Sequence, residues 1–225
     1  MGQKIISWSF SSLEQFRNCP RQYHEEKVLK SVPYKETAQT KQGKWLHKMF
    51  EDYIGKGRAL PPELLQYKPM LDTMKAKWPN LQAERRLAIN DKFEPCDYFA
   101  KDTWCRGQVD AWSIDGDLCR VADWKTGKRK YDYDQLLLMA LLTMCHFPEV
   151  QRVKAGFYWT QEKAFDTEEF LRKDWHAHWE RFTPDVARIQ RAMDLNVWQE
   201  QPSGLCNGWC PVTHCAYWKP KREKT

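Results

Sequence analysis

The chain predicts an α/β fold, a sheet flanked by helices, and three observations carry that reading. Apolar stretches of helical period alternate with short strand-like runs along 225 residues. The segment from Cys105 to Lys125, CRGQVDAWSIDGDLCRVADWK, reads as two strands joined at Asp115-Gly116, a dipeptide suited to the left-handed conformations of a two-residue turn. The run Gln135-Leu-Leu-Leu-Met-Ala-Leu-Leu reads as a helix buried on most sides.

The remaining elements follow in order. Ser11-Ser12-Leu13-Glu14 fits a capping box, with Leu13 and Phe16 beginning an apolar stripe, and Cys19-Pro20 interrupts that helix. A second helix is predicted from Thr40 to Ile54, where Trp45, Leu46, Met49, Phe50, Tyr53 and Ile54 form one apolar face. His47 lies at the edge of that face, where a histidine is either structural or a ligand. Gly55, Gly57 and Pro61-Pro62 break the chain before a helix from Glu63 to Lys77, which Trp78-Pro79-Asn80 ends. A strand from Ala83 to Ile89 leads to the hairpin. Beyond it, the polar loop TGKRKYDYD carries Lys128, Arg129 and Lys130, and either holds phosphates or is a solvated connection. Asp132 or Asp134 caps the next helix. A strand from Lys154 to Thr160 precedes two helical stretches, Thr167 to Phe182 and Pro184 to Gln199. There are no internal repeats or low-complexity segments.

Composition is that of a globular protein, with 29% charged and 42% hydrophobic residues. No apolar run reaches membrane-span length and the polar start is no secretory signal, so the expected location is intracellular, in the cytoplasm. The net charge of +6, partly in the tail from Lys219 to Lys224, is compatible with nucleic-acid binding. Eight cysteines in an intracellular chain point to reduced thiols or a metal site. Cys96, Cys105, Cys119 and Cys145 are scattered, and read as small buried hydrophobes or neutral surface residues. Cys206, Cys210 and Cys215 form a cluster of three.

The hairpin concentrates charge. A turn at Asp115-Gly116 pairs Ile114 with Asp117 and Asp110 with Val121, and sets Asp123 opposite Gln108. Asp110, Asp123 and Lys125 then share one face. Two carboxylates and an ammonium suit a hard divalent cation with a phosphate, or the solvated face of an edge hairpin.

These residues resemble the RecB-like branch of the PD-(D/E)XK nucleases, which includes CRISPR-associated and viral exonucleases with an iron-sulfur cluster. SFSSLEQFRNCPRQY, Gly43-Lys-Trp-Leu-His47, Gly107-Gln-Val-Asp110, Asp123-Trp-Lys125-Thr-Gly127, Gln135 and the C-terminal cysteines stand in the family's order. The resemblance implies a single nuclease domain over residues 1–225, with a restriction-endonuclease-like mixed sheet. It includes a helical region over residues 28–80 and a cysteine-rich segment, residues 200–218, closing onto Cys19. It implies that His47, Asp110, Asp123 and the Trp124 carbonyl hold Mg²⁺ or Mn²⁺, and that Lys125 positions the attacking water. Gln135 would orient DNA or water, and Glu84 would match an upstream acidic residue. The family often has tyrosine where this chain has Met139. Cys19 would join Cys206, Cys210 and Cys215 around a structural [4Fe-4S] cluster, with Zn²⁺, bound with or without His214, as the alternative.

The implied activity is hydrolysis of DNA phosphodiester bonds by an exonuclease acting on a free end or a single strand, in company with recombination, repair or replication proteins. The rival readings are a catalytically silent DNA-binding or assembly subunit, an endonuclease on structured DNA, and a nuclease on RNA.

Overall fold

The structure is a computed structural model and describes residues 6–32 and 36–221. The end of the basic tail, from residue 222, lies outside the described residues. In chain order the helices and strands are α1 (Phe10–Asn18), α2 (Pro20–Tyr23), α3 (Ala38–Lys56), α4 (Lys68–Lys77), β1 (Gln82–Ile89), β2 (Cys105–Asp115), β3 (Leu118–Lys125), α5 (Asp134–His146), β4 (Arg152–Trp159), β5 (Ala164–Leu171), α6 (Trp175–Trp179) and α7 (Thr183–Leu195). No described helix is long and apolar enough to cross a membrane. The chain divides into two compact units, one built from Glu36–Glu180, the other from the stretch beginning at Trp8 together with the chain from Arg181 onward.

The first unit is α/β, as predicted. Its five strands run in the order β1-β2-β3-β4-β5. Neighbours are antiparallel except β3 and β4, which are parallel and joined through α5. A parallel neighbour needs such a crossover, because a tight turn can only reverse the chain. The sequence explains why α5 takes it: Leu136 to Met144 are all buried, so no polar face is lost against the sheet. Elsewhere Leu46, Phe50, Tyr53 and Ile54 of α3 pack with Leu71 and Met74 of α4 on Ala111, Ala122, Trp124 and Tyr158. Phe50, fully buried, meets Trp124 edge-on at 5.4 Å.

Four local expectations are corrected. The hairpin turn is Gly116-Asp117, with Gly116 at φ 60°, and not Asp115-Gly116. Asp115 therefore pairs with Leu118, and Ala111 with Ala122. The α1 capping box is Ser9 with Ser12, two residues earlier than Ser11 with Glu14. The Glu63–Lys77 stretch opens as a 3₁₀ turn, Pro62–Tyr67, before α4. The predicted helix from Thr167 is in its first part strand β5, paired with β4 along its whole length. Thr-Glu-Glu-Phe favours helix only weakly, and ladder bonds override it. Its exposed Glu168 and Glu169 suit an outer strand, where charge discourages further pairing.

In the second unit, Cys19 is extended and Pro20 opens α2, so proline ends one helix and begins the next. Tyr23 and His24 stack on Trp198, Phe16 meets Tyr23 and Trp198 edge-on, and Arg17 holds Asp185 of α7 at 2.7 Å. The buried Glu25 carboxylate is met by Arg21, Ser31 and His214.

The first unit depends on the α3 face. Phe50→Ala is expected to destabilise it by about 3–5 kcal/mol, read as a fall in the denaturation midpoint. A loss below about 1 kcal/mol would show that α3 is not a principal part of that core.

Candidate active site

The β2–β3 ladder ends at Ala111 and Ala122. Asp110 and Asp123 are the next residues on the two strands, where the pairing stops. The Trp124 N–H, which has no place in that ladder, donates instead to Asp110 Oδ2 at 2.8 Å. His47 Nδ1 donates to Asp110 Oδ1 at 3.1 Å, because a carboxylate can only accept. His47 is brought there by α3, whose neighbouring Leu46 and Phe50 are core residues. Gly43 lies one turn before His47. A Cβ there would stand 3.2 Å from Thr126 Oγ1, so glycine lets α3 come close to the chain leaving β3.

Asp123 is nearly buried. Its Oδ1 accepts from Gln135 Nε2 at 3.2 Å, and Gln135 Oε1 accepts from Lys125 Nζ at 2.7 Å. Lys125 Nζ stands 2.6 Å from Asp123 Oδ2, an ion pair. Lys125 also lies over the Phe157 ring. Burial pushes the Asp123 carboxyl up to about 6, against the opposing charge of Lys125, and the Asp110 charge adds to the rise. For His47, burial acts downward, but the Asp110 hydrogen bond and the Asp110 and Asp123 charges raise it on balance.

A cleft of about 440 Å³ opens beside these residues, lined by Asp110 and His47 with Thr40, Lys44 and Lys48 of α3 and with Glu84 and Gln108. Glu84 holds φ 35°, left-handed for a residue with a side chain, and stands opposite Asp110 between the paired Ala83↔Ala111 and Arg85↔Val109. The geometry thus brings His47, Asp110, Asp123, Lys125 and Gln135 together, with Glu84 at the rim. Lys44 and Lys48 escaped the sequence reading, although their spacing from Thr40 along one helix face was the available signal.

Arg129, in the loop after β3, is engaged within the protein. Its guanidinium is held by both carboxylate oxygens of Asp166 and by Glu162, tying the loop after β3 to β5. Lys128 and Lys130 are exposed. Met139 is buried within α5.

The residues fit a hard divalent cation. Two carboxylates converge, and an imidazole that donates Nδ1–H to a carboxylate keeps Nε2 for a ligand role. As they stand, no three His, Cys, Asp or Glu side chains among the described residues are gathered closely enough to hold a metal.

Four thiols line a cavity elsewhere, and they too stand further apart than metal ligands would. Cys19, Cys206, Cys210 and Cys215 line one cavity of about 20 Å³ in the second unit, room for about one water. Burial raises the Cys210 thiol, and the neighbouring charges of Cys19, Cys206 and Cys215 raise it further. His214 is not at that cavity's wall; its Nε2 lies 3.2 Å from Glu25 Oε1. Cys105 and Cys119 are buried in the first unit, Cys119 pushed up to about 12, as inert thiols should be.

Residues 7–108 match the model of the PD-(D/E)XK nuclease superfamily, so that stretch is similar to this family; it includes His47 and stops two residues before Asp110. The mixed sheet flanked by helices is consistent with a restriction-endonuclease-like fold. No curated protein matches the chain. Among solved structures, the protein designated SSO0001 is 12% identical, over 96% of this chain and 89% of that one, with a TM-score of 0.44. A protein named "Putative exonuclease" from Eubacterium rectale is 12% identical, over 90% of this chain and 92% of that one, with a TM-score of 0.47.

The raised Asp123 carboxyl has a stability consequence in the metal-free protein. Its folded value near 6 exceeds the ordinary 3.8, so the cost of ionising it in place is absent below about 4 and complete above about 6. In chelator at pH 8, Asp123→Asn should therefore unfold at a higher temperature than the wild type, by the equivalent of about 1–3 kcal/mol. The difference should vanish towards pH 4. A variant less stable than wild type at pH 8 would contradict this balance.

Proposed function

We propose that this chain is a divalent-metal-dependent deoxyribonuclease, acting as an exonuclease. The observation that carries this reading is the convergence of Asp110, Asp123 and Lys125 where β2 and β3 part, beside a cleft lined by lysines. The family match over the N-terminal stretch supports it independently of those three residues. The preference for an end rests on the motif set shared with RecB-like exonucleases.

Asp110, Asp123 and the Trp124 carbonyl would hold Mg²⁺ or Mn²⁺, with His47 as a further ligand that favours manganese. The cation supplies Lewis-acid polarisation of the phosphodiester and a more acidic water. Lys125 places a positive charge where negative charge grows on the scissile phosphate, and orients the attacking water through its N–H groups. Gln135 holds both Lys125 and Asp123, which fixes the ammonium relative to the carboxylate. Lys44, paired with Glu36, and Lys48, paired with Glu51 and Asp52, line the same cleft, where they would exchange those partners for the phosphate backbone of the strand.

The four thiols that line one cavity match the donor count of a [4Fe-4S] cluster, with a structural role in joining α2 to the C-terminal segment. Zinc is the second reading of the same four residues. Anaerobic purification separates the two: a brown protein with stoichiometric iron supports the cluster, and a colourless one with equimolar zinc overturns it. Cys19→Ser should lose the metal in either case.

The activity is tested on end-labelled linear and circular DNA with Mg²⁺ or Mn²⁺. Wild type should shorten the linear molecule from its end, and Asp123→Ala or Lys125→Ala should lower the rate by at least about 10²-fold. Undiminished cleavage by Asp123→Ala would sink the assignment of this site. Binding without product under either ion would instead favour the silent DNA-binding subunit, and attack on circular DNA an endonuclease.

A further inference from the structure

An aromatic and arginine platform continues the cleft along β1 and β2. Glu84 and Gln108 line the cleft, and Gln108 pairs across the ladder with Arg86. The Arg86 guanidinium lies 5.6 Å from the Tyr98 ring centre, and that of Arg106 lies 5.3 Å from Tyr98 and 5.7 Å from Phe99. Tyr98 and Phe99 meet edge-on at 5.0 Å. Phe99 is 74% exposed, among the most exposed large hydrophobic side chains described. Arg106 makes no ion pair among the described residues, and Arg86 has only Glu84, at 3.7 Å.

The platform is held in place before any ligand arrives. The loop carrying it is tied to β1 by Cys96 N–H to the Ala88 carbonyl and Trp104 N–H to the Ile89 carbonyl. Inside the loop, the Asn90 side chain accepts from the N–H groups of Lys92 and Glu94, and Thr103 Oγ1 donates to the Asp97 carbonyl. Phe99, on this anchored loop, leaves most of its ring open to a ligand. With two stacked guanidinium groups beside it, the combination has a flat apolar face for a base and N–H forks for phosphates.

We propose that this platform binds a single-stranded segment of the DNA substrate, with a base on Phe99 and the neighbouring phosphates on Arg86 and Arg106. The inference rests on the nuclease reading for the identity of the ligand, and not for the geometry. Asp110 and Arg106 are four residues apart on β2, roughly 13 Å at ~3.3 Å per residue. That distance spans about four stacked nucleotides at ~3.4 Å each. A duplex keeps its bases stacked on one another and has none to offer Phe99, so the platform selects an unpaired strand.

The test is binding in chelator, where no cleavage occurs, followed by anisotropy of labelled DNA. Phe99→Ala should weaken binding of a single strand of about 12 nucleotides roughly tenfold, and Phe99→Trp should restore it. Arg106→Ala should reduce the slope of log affinity on log salt by about one. Equal binding of that single strand by Phe99→Ala and wild type overturns the proposal, as does an equal loss on duplex and single strand. Tighter binding of the same sequence as RNA overturns the choice of DNA. Because binding is read without turnover, a chain that cuts nothing but shows the Phe99 effect retains the platform and loses the nuclease reading.

Discussion

The end of the β2–β3 ladder at Ala111 and Ala122 is the constraint on which the rest of the site depends. Backbone donors beyond the last pair still need acceptors, and the strand cannot supply them once its partner has turned away. The Asp110 carboxylate takes the Trp124 N–H, so one of its oxygens does the work of a ladder carbonyl. Its other oxygen takes His47. A side chain with both oxygens engaged has few rotamers left, and it holds the α3 imidazole and the β3 backbone in one geometry. Gly43 allows the same approach from the helix side.

Charge follows from that arrangement. Asp123 lies past the ladder on the other strand and is covered by the start of α5, so its ionised form is held against its solvation. Lys125 and Gln135 offset only part of this cost, since the carboxyl is still pushed up to about 6. Such a group is poorly explained as a device for stability, since apolar residues of similar size would pack there without the penalty. It is well explained as a ligand waiting for a cation. The left-handed Glu84 opposite Asp110 is a second departure from regular structure at the same place.

Much of this was legible in the residues, and what was not has physical reasons. The α/β alternation, the extent of α3 and the leucine-rich α5 followed from periodicity, because each buries a wide apolar face. Asp115-Gly116-Asp117 offers two overlapping turn dipeptides, and only the pairing energy of the completed hairpin chooses Gly116-Asp117. The choice shifts each pair by two residues in sum, so Asp123 meets Asp110's end of the ladder directly instead of diagonally. β5 was hidden because an outer strand with one buried residue, Asp166, has no apolar alternation to read. That same Asp166 captures Arg129, a tertiary contact between residues 37 apart that no local pattern contains. The platform of Tyr98 and Phe99 was likewise invisible, since its meaning depends on Arg86 and Arg106 arriving from two strands.

The two units carry different chemistry: hard oxygen donors at the sheet, and soft thiols around one cavity in the helical unit. The central claim concerns the first of them. Titration of the metal-free protein with Mn²⁺, followed by the loss of the free-ion electron paramagnetic resonance signal, addresses it most directly. The account predicts saturable binding that disappears in Asp110→Ala and survives in Cys19→Ser. Binding that survives Asp110→Ala, or none in the wild type, would contradict it.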